Sequence, residues 1–195
     1  MKKAATITKT TIILFLITSV SALLMAFVNE KTAPIIEQNE SVKRSEALKA
    51  VMPDASDFEE IAIDDELTNI AAEYGCEINN VYSAKNSGGE DCGVCSIITG
   101  SGYDSGIQLA VGVNKDLEVT DIQIITSNET PGLGQNASKP EFKNQYQGKK
   151  GTLEVVKSGA SDNQINAISG ATLTSNGITK IVNTALQIAQ TKEAE

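Results

Sequence analysis

The spacing of apolar positions changes twice along the chain and divides it into three parts. Thr10 to Val28 is one apolar run without an ionisable side chain, about long enough to span the roughly 30 Å of bilayer hydrocarbon as a helix. Lys2, Lys3 and Lys9 precede this run and Glu30 follows it, so the positive-inside bias places residues 1–9 in the cytoplasm and everything beyond Val28 outside. The competing reading is a cleaved signal peptide. Its apolar core would be only about 7–15 residues long and would end at a small-residue cleavage site. No clear site of that kind follows Val28, which favours an uncleaved anchor over residues 10–28. Residues 29–53 are expected to continue as a juxtamembrane helix or linker. Val42, Leu48 and Val51 give it sparse apolar contacts, Ala33-Pro34 is a candidate break, and Pro53 stops it. Its simplest role is a spacer between bilayer and domain.

Residues 54–76 are acidic and mix weakly helical stretches with loop signals. From Ile78 the period shortens toward two. Asn80 to Ala84, Gly93 to Thr99, Ile107 to Val113 and Leu117 to Ile125 are short runs rich in β-branched residues, separated by Gly, Asn and Asp clusters. Asn114-Lys115-Asp116 reads as a hairpin loop, and Leu153 to Val156 as a last strand. The period then lengthens. Ile178, Ile181, Val182, Ala185, Leu186 and Ala189 form the stripe of an amphipathic helix expected to begin near Ser175 or Asn176. Strands followed by a packing helix predict an α+β domain over residues 54–195 with a mostly antiparallel sheet.

Composition narrows the chemistry. The 195 residues include no His and no Trp, which makes serine-protease, zinc-hydrolase and haem-His chemistry improbable. The apolar run carries no charged group of the kind ion relays need, so this chain alone should not pump ions. Beyond Val28, thirteen basic residues face twenty-five acidic ones. Such a surface repels nucleic acid and anionic lipid, and it suits basic partners or simple solvation. Cys76, Cys92 and Cys95 are too few to complete a four-ligand metal site without another chain, so no metal site is expected. Cys92-Gly93-Val94-Cys95 has thioredoxin-like spacing, but the pattern places it at a strand where redox activation wants a helix start. A disulfide in an oxidising compartment stays open as a reading.

Two stretches carry candidate chemistry. Ser169-Gly170-Ala171-Thr172-Leu173-Thr174-Ser175-Asn176 places small and hydroxyl residues at a helix start. Ser175 or Asn176 would cap the helix, the positive end of its dipole would face Thr172, and Gly170 and Ala171 leave room for a bulky group. That layout suits a phosphate at the Thr172 hydroxyl. On residue types alone, a polar loop before a helix is the commoner explanation. Glu129-Thr130-Pro131-Gly132-Leu133-Gly134 follows a strand. Pro131-Gly132 prescribes a tight turn that would bring Thr130 and Leu133 to a surface where a planar ring could lie, and a purely structural turn explains the spacing equally well.

Ser169-Gly170-Ala171-Thr172 with Thr174-Ser175 resembles the flavinylation motif of extracytoplasmic FMN-binding domains. In that family the last Thr carries FMN through a phosphoester installed by a flavin transferase that uses FAD and magnesium. Where the family usually has Asp three residues before the Ser, this chain has Asn166. The Glu129–Gly134 hexapeptide, the order of the two motifs, the single N-terminal anchor and the Gly100-Ser101-Gly102-Tyr103 segment together resemble the G subunit of the Rnf electron-transport complex. The related C subunit of the sodium-translocating NADH:quinone reductase is generally longer. The resemblance implies an electron-carrier subunit of a membrane-bound ferredoxin:NAD oxidoreductase that moves sodium or protons, with one covalent FMN on Thr172. It implies the other membrane and peripheral subunits of that complex as partners, and no complete catalytic site on this chain alone. Ser169, Gly170 and Ala171 would give the transferase access, and Thr174 and Ser175 would hydrogen-bond the phosphate. Glu129, Thr130 and Leu133 would border the isoalloxazine, with Gly132 and Gly134 shaping their turn. The alternatives are a stand-alone flavinylated carrier outside the cytoplasm and a membrane-anchored binding domain without flavin.

Overall fold

The computed structural model describes residues 2–194. Its first element, α1 (Lys2–Val51), runs helical through Pro34, so Ala33-Pro34 does not break it. Residues up to Lys43 form one compact unit and those from Arg44 onward a second. In the first unit the apolar side chains from Ile12 to Val28 are exposed, as are Ile35, Ile36 and Val42. The helix is long and apolar enough to cross a membrane.

The second unit is built on a five-stranded antiparallel sheet whose strands follow sequence order: β1 (Asp57–Ile61), β2 (Glu77–Lys85), β3 (Asp91–Ser101), β4 (Ser105–Asn114) and β5 (Val119–Thr126). The four strand runs of the sequence correspond to β2–β5. The loop before β5 extends through Leu117, which adopts a left-handed φ of 58°, while Asn114 Oδ1 accepts the N–H groups of Asp116 and Glu118. That hydrogen-bonding turn delays β5 to Val119. The acidic stretch 54–76 holds a strand that its pattern concealed and a helix where the pattern is weakly helical. β1 is an edge strand with little burial, so it lacks a clean alternation. α2 (Asp65–Tyr74) is capped by Asp64, whose carboxylate accepts the Leu67 N–H at 2.9 Å, and is stopped by Gly75 at φ +69°.

Each face of the sheet is covered by a helix. On one face α4 (Thr172–Glu193) lays Ile178, Ile181, Val182, Ala185 and Leu186 against Val81, Ile98, Leu109 and Val111. On the other, Ala47, Leu48 and Val51 at the end of α1 pack with Met52, Tyr82, Cys95, Ile97 and Ala110. The C-terminal turns of α1 are therefore part of the domain core and no mere spacer. The sheet separates the cysteines accordingly: Cys76 packs on the α4 side, whereas Cys92 and Cys95, both on β3, pack on the α1 side. The expected strand near Leu153 is β6 (Glu154–Val156). It pairs in parallel with a three-residue β7 (Gln164–Asn166) outside the main sheet. Between β5 and β6 lie the 3-10 turn Gly134–Ser138 and the short α3 (Pro140–Lys143).

Candidate functional site

The helix that organises the site begins three residues earlier than its sequence suggests. Ala171 occupies the N-cap position, Thr172 is the first helical residue, and no side chain caps the end. Ser175 therefore lies inside α4. Its hydroxyl is buried, donates to the Ala171 carbonyl at 3.0 Å and accepts the Ile168 N–H at 2.9 Å. Those bonds fix the loop that enters the helix, so Ser175 is not placed to hold a phosphate. Among the described residues, nothing accepts the backbone N–H groups of Thr172, Leu173 and Thr174. The free donors and the positive end of a 22-residue helix converge on an exposed Thr172 side chain, an arrangement that favours an anion.

The Glu129–Gly134 segment meets this helix start. Thr130-Pro131-Gly132-Leu133 is a type II turn, with the Leu133 N–H bonded to the Thr130 carbonyl at 3.1 Å and Gly132 at φ +78°. The turn carries Leu133 onto Gly170, where an added Cβ would lie 3.1 Å from Leu133 Cδ2. Glu129 is buried, and its carboxylate ties three segments together. Oε1 accepts the N–H groups of Tyr103 at 2.9 Å and Asp104 at 3.2 Å, and Oε2 accepts the Thr174 hydroxyl at 2.9 Å. Glycines make this convergence sterically feasible. A Cβ on Gly134 would come within 2.7 Å of Glu129 Cβ and 2.8 Å of Thr174 Oγ1, and one on Gly102 within 3.1 Å of Thr174 Cα.

Together these segments enclose a cavity of about 520 Å³, lined by Tyr103, Glu129, Thr130, Leu133, Gly134 and the run Gly170–Thr174. The volume falls in the usual range for small-molecule and cofactor sites. Tyr103, Leu133 and Leu173, 75%, 44% and 59% exposed, ring its mouth with apolar surface. The structure thus brings Gly170, Ala171, Thr172 and Thr174 together with Glu129, Thr130, Leu133 and Gly134. Ser169 and Gly132 are exposed beside the cavity without lining it. Tyr103 and Leu173 join the site although sequence alone assigns neither a role there: Tyr103 closes the Gly100-Ser101-Gly102-Tyr103 segment that contributes to the family resemblance, and Leu173 lies inside the Ser169–Asn176 stretch. Asn166, at the variant motif position, serves the loop: its N–H donates to Gln145 Oε1 at 2.8 Å and its Oδ1 accepts the Ala160 N–H at 3.0 Å.

The donor set fits a flavin mononucleotide. A phosphate finds free amides at the helix start, and a planar ring finds three apolar side chains around a roomy cavity. Residues 102–187 match the family model described as the FMN-binding domain, and residues 1–51 match the RnfG N-terminal region. Over 189 residues the chain is 40% identical to the G subunit of the Na(+)-translocating ferredoxin:NAD(+) oxidoreductase complex of Acetobacterium woodii, covering 92% of this chain and 89% of that one. The chain belongs to the family of Rnf G subunits. Another G subunit, from the proton-translocating ferredoxin:NAD(+) oxidoreductase complex of Clostridium ljungdahlii, is 30% identical over 86% of this chain and 83% of its own. The crystal structure of Shewanella oneidensis NqrC has the same fold, with a TM-score of 0.52 and 20% identity over 74% of this chain and 73% of that one. This member of the RnfG family therefore joins one helix able to cross a membrane to an α+β FMN-binding domain.

Proposed function

We propose that this chain is the flavin-bearing electron carrier of an ion-translocating ferredoxin:NAD oxidoreductase complex, with FMN joined through its phosphate to the Thr172 hydroxyl. The observation that carries the reading is the conjunction at one helix start of an exposed Thr172, three free backbone N–H groups and an apolar-rimmed cavity. When bound, FMN supplies a ring that takes up and releases electrons. The chain's own residues bind and orient it. The N–H groups of Leu173 and Thr174, with the helix dipole, favour the phosphate charge. Ser169, Gly170 and Ala171 present little bulk in front of Thr172, which suits access by a flavin transferase. Leu133, Leu173 and Tyr103 offer apolar contact to the ring, Thr130 and Glu129 complete the wall, and Gly132 and Gly134 shape the turn that holds Leu133.

In this reading α1 crosses the membrane over residues 10–28, with residues 1–9 in the cytoplasm and the FMN domain outside, as the flanking lysines and Glu30 suggest. A covalent bond retains a cofactor that a compartment without flavin synthesis could not replace. The partners are the other membrane and peripheral subunits of the complex. The relatives' names include both sodium- and proton-translocating complexes, so either ion suits the family. The test uses the native chain from cells that make the transferase. The denatured band is expected to fluoresce as flavin, and the peptide containing Thr172 to carry FMN less one water. Thr172→Ala should abolish both signals while the domain stays folded, and an unmodified native peptide would refute the assignment.

A further inference from the structure

Glu129 is the sole ionisable carboxyl among the residues lining the cavity, and it is 3% exposed. Its three hydrogen-bond donors are two backbone N–H groups and a hydroxyl, all neutral, and no ion pair among the described residues includes it. Space is reserved for the group, because a Cβ on either Gly102 or Gly134 would collide with the carboxylate. Burying a carboxylate without a cation is unfavourable, and a glutamine of the same shape could accept both N–H groups and donate to Thr174 Oγ1. Hydrogen bonding and packing therefore explain the shape of the side chain and leave its charge unexplained.

We propose that Glu129 sets the redox potential of the site: its carboxylate, fixed at the wall of the cavity, holds down the midpoint potential of the flavin carried on Thr172. The proposal rests on the assignment of FMN to this cavity. An electron that enters the ring without a proton adds negative charge to it, and a carboxylate held out of water opposes that charge more strongly than one in solvent, whereas an electron taken up together with a proton leaves the ring's charge unchanged. The three donors keep the group in place and partly damp its field. Charge and damping make opposite predictions for two variants of the full-length flavinylated chain. Glu129→Gln keeps the shape and removes the charge, so the midpoint potential should rise. Thr174→Val keeps the charge and removes one damping hydrogen bond, so the potential should fall. A purely structural role for Glu129 would not move the two variants in opposite directions.

The measurement is a spectroelectrochemical titration of the purified chain, with flavin content read from the denatured protein and folding from the thermal midpoint. A raised potential in E129Q at full flavin content supports the proposal, and an unchanged or lowered one overturns it. Should E129Q fail to fold or to load flavin, T174V decides alone: a lowered potential supports the proposal and an unchanged or raised one overturns it. Wild-type chain lacking flavin on the Thr172 peptide would instead overturn the underlying assignment, and this proposal with it.

Discussion

Gly177 lies in the second turn of α4, where alanine ordinarily stabilises a helix by about 1 kcal/mol because glycine loses more backbone entropy on folding. Here the sign should reverse. A Cβ on Gly177 would lie 2.9 Å from Gly102 Cα and 2.9 Å from the carbonyl carbon of Ser101, and would also collide with the Ser101 oxygen. Non-bonded carbons sit best at about 3.5–4.0 Å, and these neighbours are backbone atoms at the end of β3 that cannot rotate away. Overpacking of this kind costs roughly 1–3 kcal/mol, and three backbone clashes argue for the upper half of that range. After the helix-propensity gain, Gly177→Ala should be destabilising by about 1–2 kcal/mol. For a domain of this size, each kcal/mol moves the midpoint by about 2–4 °C, so the thermal midpoint should drop by roughly 2–8 °C. The same displacement pushes Tyr103 away from Leu173, so flavin content should fall as well. Differential scanning fluorimetry of the detergent-solubilised full chain reads the first effect, and absorbance of the denatured protein the second. A midpoint equal to or above that of the wild type would refute the close approach of α4 to the β3–β4 turn on which the cavity depends.

Stability should also fall in alkali. Burial, with Cys92 nearby, pushes the Cys95 thiol up to about 12 from its ordinary 9.0, and burial raises Cys76 and Tyr146 above their usual ranges. The folded chain then keeps protons that the unfolded chain sheds, so the stabilisation is complete below about pH 9 and declines as pH climbs toward about 12. Urea midpoints at pH 8 and pH 10 should show the decline, Cys95→Ala should lessen it while Cys76 and Tyr146 keep their share, and equal midpoints in the wild type would contradict it. Asn166→Asp should leave flavin content unchanged, because a carboxylate oxygen can accept the Ala160 N–H as the amide oxygen does. Asn166→Leu should reduce it by loosening the loop into α4. Mass spectrometry of the Thr172 peptide compares the two, and a large gain in the Asp variant would show that position 166 acts on the transferase directly.

Residues whose neighbours lie close in sequence were legible. The stripe from Ile178 to Ala189 identified α4 because a helix face is written at a fixed spacing. The four β-branched runs identified β2–β5 because both faces of the sheet are covered, leaving a buried Val or Ile in each of these four strands. β1 and β7 were not legible. One is an exposed edge, and the other is three residues whose partner is ten positions upstream, so neither imprints a period. The role of Ala47, Leu48 and Val51 was hidden for a different reason: their small apolar stripe makes sense only against Tyr82, Cys95 and Ala110, which are distant in sequence.

The start of α4 shows why site geometry was harder to read than site identity. Ser and Thr usually favour caps, because their hydroxyls compete with helical hydrogen bonds. That preference placed the helix start near Ser175. In the fold, Thr174 spends its hydroxyl on Glu129 and Ser175 spends its own on Ala171 and Ile168, so both can sit inside the helix without losing a hydrogen bond. The cap position passes to Ala171, which has no side-chain oxygen to offer. An ordinary capping residue there would occupy the first amides of the helix. Its absence leaves them free beside Thr172, where the proposed phosphate needs them. The departure from a local rule and the location of the proposed chemistry are thus one feature, and it exists only because Glu129 arrives from 45 residues away to take the Thr174 hydroxyl.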